Sequence, residues 1–418
     1  MNVSNRSNTN VLTIDSIIVS RLQSNFFLVT FLVSVFAFPL SSYITEFLGY
    51  QSNLLSIAAR GFTLLIVLAY LMLLVAHGIF RPNIFFYLFF AFWLLYGIRI
   101  LYDTTTSEWQ LGRTSAEYYL FAFVLSFFCT IPFFVAVKYP LKQIEKWSFL
   151  FLVILNLLGL YNNLSAENLF VERLGGNEKL NPIAFGMQAA LLLVLSILRL
   201  YKGCNKYLTL FLFLTLILGI GNLFLAASKS PIIFALISIL LILYKSLKKK
   251  ILQTLIIIAL IAGLGLIVFQ FLDFSNVIFL ALQRFMEIGE DTSSLERIDQ
   301  LTGGYNQFIA NPLAGSFLEE YVYKSYPHNL VLESFMATGI LGGTLFSIFY
   351  FAAWYYTIKN IILSNLAFLP FISLSFLVMS LFSGGLSFFV DFWYCSAVMF
   401  PFFQVTSAVE TPFTKSHS

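Results

Sequence analysis

Charge is what this chain has least of. Of its 418 residues only 11% are Asp, Glu, Lys or Arg, against 59% hydrophobic. A water-soluble fold has too little interior to hide that much apolar surface, which excludes a soluble globular protein. Cysteine is scarce as well. Cys129, Cys204 and Cys395 are scattered and odd in number, so there is neither a disulfide framework nor a metal-ligand spacing. There is no Gly-rich phosphate loop, no Asp-Asp or Asp-x-Asp pair in an outer loop and no His/Cys cluster, which disfavours a metal-dependent glycosyltransferase. No carboxylate sits mid-membrane, where a proton-coupled transporter would normally need one. A net charge of +4 is too small to argue for nucleic acid.

What the chain does have is long apolar runs. Backbone groups in hydrocarbon must pair within their own segment, and the runs do not alternate, so helices are predicted and a barrel is excluded. The spacing predicts about twelve spans, at 26–45, 54–77, 83–102, 117–137, 147–164, 181–200, 207–227, 231–245, 251–272, 328–357, 362–382 and 386–406. Residues 1–24 are polar, and no small-residue cleavage site follows the first run, so that run reads as a retained helix. Fifteen of the 24 Lys and Arg residues fall on the side of the termini and seven on the other, which predicts cytoplasmic termini. The expected order is a cytoplasmic tail (1–25), nine spans (26–272), one large outer loop (273–327), three spans (328–406) and a second tail (407–418). The fold class is an all-α polytopic membrane protein. Within the large loop, Ser293 and Glu296 form a capping-box pattern. Leu295, Ile298, Leu301, Tyr305, Phe308 and Ile309 then recur at helical spacing until Asn311-Pro312. This predicts an interfacial amphipathic helix on the outer leaflet or over a cavity.

Several outer residues carry usable chemistry. His328, in Tyr326-Pro327-His328-Asn329-Leu330, is the only histidine on the outer side. An imidazole there is either a proton acceptor or a plain helix-capping group. Glu333 and Asp391 are its candidate partners. Arg297 falls beside Leu301 and Phe308 on the apolar stripe. It needs an anionic ligand, a neighbouring carboxylate such as Asp291 or Glu296, or an escape to the headgroups. Lys229, in Ser228-Lys229-Ser230-Pro231, opens a short span. It reads as an anion site at a helix N-terminus or as a solvated turn lysine. Arg173, near Gly175, Gly176 and Asn181-Pro182, repeats the theme, and Glu172 or Glu178 is its alternative partner. Arg60 and Arg99 lie inside spans near the outer end, where a charge usually faces a cavity; Arg99 is also within reach of the headgroups. Arg284 is a further outer-loop cation.

Together these residues resemble the O-antigen polymerase and O-antigen ligase superfamily of bacterial envelopes. His328, Asn329, Gly339 and Gly342 match its pattern His-Asn-x9-Gly-x2-Gly. Arg297 followed by Pro312-Leu313-Ala314-Gly315 is similar to its Arg and Pro-Leu-x-Gly turn. Ser228-Lys229 matches its Ser-Arg/Lys, and Asn181-Pro182 matches a weaker element. The resemblance is carried by about residues 173–345. It implies an inner-membrane enzyme, without cofactor or metal, that uses an undecaprenyl-diphosphate-linked oligosaccharide at the periplasmic face. His328 would deprotonate or orient the acceptor hydroxyl. Arg297, Lys229 and Arg173 would hold the diphosphate, with Asn329, Glu333, Arg60, Arg99 and Arg284 in support. Lysine at 229 would bind phosphate as a point charge rather than as a fork. The implied partners are membrane lipid, a chain-length regulator and a flippase. The path from Pro312 to His328 is shorter than in ligases, and Tyr-Pro-His-Asn-Leu followed by Glu333 reads as a polymerase. A ligase acting on lipid A-core is the first alternative, and a flippase or transporter of lipid-linked oligosaccharide the second.

Overall fold

The computed structural model describes residues 6–48, 54–106, 111–164, 175, 180–246 and 292–410. Every named element among them is helical, and strand pairing is limited to one isolated bridge between Glu320 and Ser325. Eight helices carry a stretch long and apolar enough to cross a membrane: α1 (Arg6–Phe47), α2 (Leu54–Ala76), α3 (Ile84–Thr106), α4 (Ser115–Phe134), α5 (Leu141–Leu164), α6 (Pro182–Lys202), α7 (Lys206–Ala226) and α10 (Leu330–Leu363). The others are α8 (Lys229–Ser246), α9 (Thr292–Ala310), α11 (Phe368–Met379) and α12 (Val390–Glu410). The chain is thus an all-α polytopic membrane protein. The span expected at 251–272 lies outside the described residues.

Three elements differ from the periodicity reading. Helix α1 runs back to Arg6, through the stretch read as a polar tail. Helix α11 has only 12 residues, about 18 Å at 1.5 Å per residue, against roughly 30 Å of hydrocarbon. Helix α4 begins with a capping box between Thr114 and Glu117, widens into a π-helix over Tyr119–Phe127 and tightens into a 3-10 helix over Phe128–Phe134, which contains Pro132. Side chains from elsewhere reach the widened turn: the Tyr394 hydroxyl donates to Leu125 O at 2.9 Å.

The core is aromatic where α3, α10 and α12 meet. Trp393 packs against Phe89, Phe92, Trp93, Phe346 and Phe349 with ring centroids 5.1–5.9 Å apart. Helix α6 is buried on all sides from Phe185 to Leu198. Some polar side chains inside the bundle bond across helices. Asn222 of α7 donates to Asn156 of α5, and Asn156 donates to Gln188 O of α6.

Candidate functional site

Helix α10 is broken near its start, and the break organises this end of the bundle. Gly339 has φ +65° and ψ −163°, a conformation essentially closed to other residues. The break frees backbone groups, and the turn after α9 takes them up. Ile340 N donates to Pro312 O and Ser316 N to Met336 O, each at 2.7 Å. The fit is backbone to backbone. A Cβ on Gly339 would lie 2.2 Å from Leu313 O, and one on Gly315 would lie 2.4 Å from the Ala337 carbonyl carbon. Arg99 clamps the joint from α3. Its guanidinium donates to Ala337 O, Ser316 O, Ala314 O and Gly315 O at 2.7–3.1 Å and pairs with Asp103 at 3.3 Å. Asp103 in turn accepts from Leu318 N. Arg99 is therefore a frame residue holding the Pro-Leu-x-Gly turn. An irregular backbone at membrane depth survives only when its groups are re-satisfied in this way.

The half-helix in front of the break carries His328 at its head. Asn329 caps it, its side-chain oxygen accepting from Leu332 N at 3.0 Å. His328 itself is held at φ +55°, a left-handed conformation that costs a non-glycine residue about 1–3 kcal/mol. Its ring meets Tyr326 edge-on at 4.7 Å. Its Nδ1 is buried without a hydrogen-bond partner among the described residues. Burial first, and the positive charge of Arg297 second, lower the imidazole pKa from 6.5 to about 4. It is neutral at pH 7, and one ring nitrogen is left unpaired by the described residues.

Arg297, on α9, lies within electrostatic reach of His328. That helix turns Arg297, Gln300, Gly304, Gln307 and Phe308 toward the protein, while Leu295, Ile298, Tyr305 and Ile309 are each about half exposed. The buried glutamine is explained by the connection that follows. Gln307 donates to Glu319 O and accepts from Tyr321 N. Phe308 packs on Phe335 of α10 at 5.3 Å. Glu320 closes the turn, accepting from Val322 N and Tyr323 N. Glu319 accepts from Gly112 N at 2.6 Å and the Tyr118 hydroxyl at 2.7 Å, and burial raises its pKa.

The other expected residues fall into separate places. Glu333 does not bond His328. It accepts from Leu386 N through both oxygens and from the Tyr96 hydroxyl, fixing the 380–389 loop and α3 to the half-helix. Gly385 of that loop abuts Tyr326. Arg113 lies 4.5 Å from the Phe388 ring. Burial raises the Tyr326 phenol pKa, and Arg113 and Arg297 both act against that rise, so both cations lie within electrostatic reach of it. Lys229 is half-buried at the start of α8, where Pro231 packs beside Gly186 of α6. Arg60 lines a cavity with Asp391. Arg173 and Arg284 lie outside the described residues.

A polytopic helical bundle whose broken helix presents a neutral histidine within electrostatic reach of an arginine defines a membrane protein with a polar site at one end. Residues 214–347 match the family model Wzy_C, described as O-antigen ligase. The match spans Lys229, Arg297, His328, Gly339 and Gly342, and bears out the resemblance to the O-antigen ligase and polymerase superfamily. It supports ligase- or polymerase-type function in surface polysaccharide assembly by a multi-pass membrane protein. No curated protein matches the chain significantly.

Proposed function

We propose that this protein is a surface-polysaccharide polymerase, joining undecaprenyl-diphosphate-linked oligosaccharide repeats at the periplasmic face. The observation that carries the reading is the pairing of a neutral, unpartnered imidazole at His328 with the Arg297 cation. In the reaction the acceptor hydroxyl oxygen attacks the anomeric carbon of the donor. The bond from that carbon to the phosphate oxygen breaks, and undecaprenyl diphosphate leaves with the electron pair. The hydroxyl proton passes to the unprotonated ring nitrogen of the neutral His328 imidazole. Arg297 neutralises the charge that develops on the diphosphate, with Lys229 and Arg173 as further cations. The arrangement also couples binding to basicity. A diphosphate beside Arg297 offsets the charge that disfavours imidazolium, so His328 becomes a better base once the donor has arrived. The compact turn between Pro312 and His328 supports polymerase over ligase, because it adds no domain over the site.

The test is complementation of a deletion strain with His328→Ala and Arg297→Ala. Both proteins are expected in the membrane at normal levels, with surface glycan reduced to single repeats. A normal ladder from either removes that residue from the mechanism. The ligase reading is kept because the matching family model carries that description. It predicts long polymer accumulating on the carrier lipid instead. Lipid-linked repeats trapped on the cytoplasmic leaflet, with indifference to His328, would mark a flippase.

A further inference from the structure

A cavity of about 180 Å³ between α1, α2, α4 and α12 is used by nothing described above. Arg60 of α2 and Asp391 of α12 both line it, with Ser34, Thr63, Phe121 and Phe388. The Arg60 guanidinium lies between two phenyl rings, 4.6 Å from the centroid of Phe38 and 4.8 Å from that of Phe121. Such contacts stabilise the cation but satisfy none of its five N–H donors. Among the described residues, neither Arg60 nor the Asp391 carboxylate has a hydrogen-bond or ionic partner, and the two do not pair with each other. Ser34 Oγ, on the same wall, is buried and also unpartnered. A donor, an acceptor and a hydroxyl left unmet around one cavity inside an apolar bundle are costly, and they point to a ligand.

The chemistry of the walls selects the ligand class. A phosphate would meet Arg60 but be repelled by Asp391. An ammonium group would suffer the reverse, and an acyl chain would strand both. A neutral polyhydroxylated ring satisfies them together: its hydroxyls donate to Asp391, accept from Arg60, and present a C–H face to Phe121 or Phe388. The volume is well below that of a drug-sized site and suits one monosaccharide. The position fits as well. Phe388 forms the wall toward exposed Arg113, and three residues earlier Gly385 abuts Tyr326, the neighbour of His328. Three residues of chain span at most about 10 Å, within the length of a short oligosaccharide.

We propose that the cavity between Arg60 and Asp391 is a subsite for one neutral sugar ring of the acceptor glycan. That the sugar belongs to the acceptor rests on the polymerase reading; the sugar-binding site itself does not. The test uses the full chain in lipid nanodiscs and the free repeat-unit oligosaccharide released from the producing cells' surface polysaccharide. Saturation-transfer NMR is titrated to a dissociation constant. Asp391→Asn and Arg60→Gln each remove a charged hydrogen-bonding partner and are expected to weaken binding about tenfold with an unchanged unfolding midpoint. If either variant fails to accumulate, Phe388→Leu keeps the apolar wall and is expected to weaken binding about threefold. No saturable signal from the wild type, or equal constants throughout, overturns the proposal. The glycan ladder reads transfer and this titration reads sugar binding without it. Loss of one with retention of the other therefore identifies which statement has failed.

Discussion

Gly339→Ala is the sharpest perturbation of the architecture. The backbone there sits at φ +65°, ψ −163°, which costs a side-chain-bearing residue about 1–3 kcal/mol. The new methyl would lie 2.2 Å from Leu313 O, and relieving such an overlap costs about 1–3 kcal/mol more. The sum, about 2–6 kcal/mol, is large against the roughly 5–15 kcal/mol of a whole domain. The least costly escape is to lift the 312–316 turn off the break. That frees Ile340 N and Ser316 N and takes three carbonyl acceptors from Arg99, those of Ala314, Gly315 and Ser316. Hydrogen-exchange mass spectrometry in nanodiscs reads both amides. At 2 kcal/mol or more, their exchange is expected to accelerate at least about 30-fold. Gly221→Ala is the control. It lies within α7, a Cβ there meets nothing within 4 Å, and it is expected to be neutral or stabilising by up to about 1 kcal/mol. Wild-type protection at 316 and 340 in Gly339→Ala would refute the docking of turn onto broken helix.

Two further perturbations test the site. In Arg297→Ala the second cause of the depressed His328 pKa is gone while burial remains. The imidazole titration, followed by NMR on histidine-labelled protein, is expected to move up from about 4 but stay below 6.5; no movement would place the arginine charge elsewhere. Glu333→Ala strands Leu386 N, at about 1–3 kcal/mol, while the Tyr96 hydroxyl keeps Ser387 Oγ as a partner. Denaturant unfolding should therefore show a loss of roughly 1–3 kcal/mol, and a loss under about 0.5 kcal/mol would contradict the hydrogen-bonded role given to this carboxylate.

Much of the bundle is legible from apolar periodicity, since a run of twenty apolar residues has few fates. The helix over 292–310 and its stop at Asn311-Pro312 were equally readable. The break in α10 was not. Residues 328–357 read as one continuous apolar span, and Gly339 looks like any helical glycine until the 312–316 turn docks against it. Arg99 escaped for a similar reason: its partners are backbone carbonyls some 215 to 238 residues away, and carbonyls have no sequence signature. Periodicity alone gives no reason to bury the glutamines of α9. Gln307 is turned inward by the amide and carbonyl of the connection that follows. Pairing Arg60 with Asp391 across one cavity required the tertiary fold. Nothing links positions 60 and 391 before the helices pack.

Helix α9 has two unlike faces. Leu295, Ile298, Tyr305 and Ile309 face away from the protein, while Arg297 on the same helix lies within electrostatic reach of His328. Were that stripe seated on a lipid leaflet, a leaflet that thickened or thinned would carry the guanidinium with it. Lipid composition would then set the spacing between cation and imidazole, without any effector.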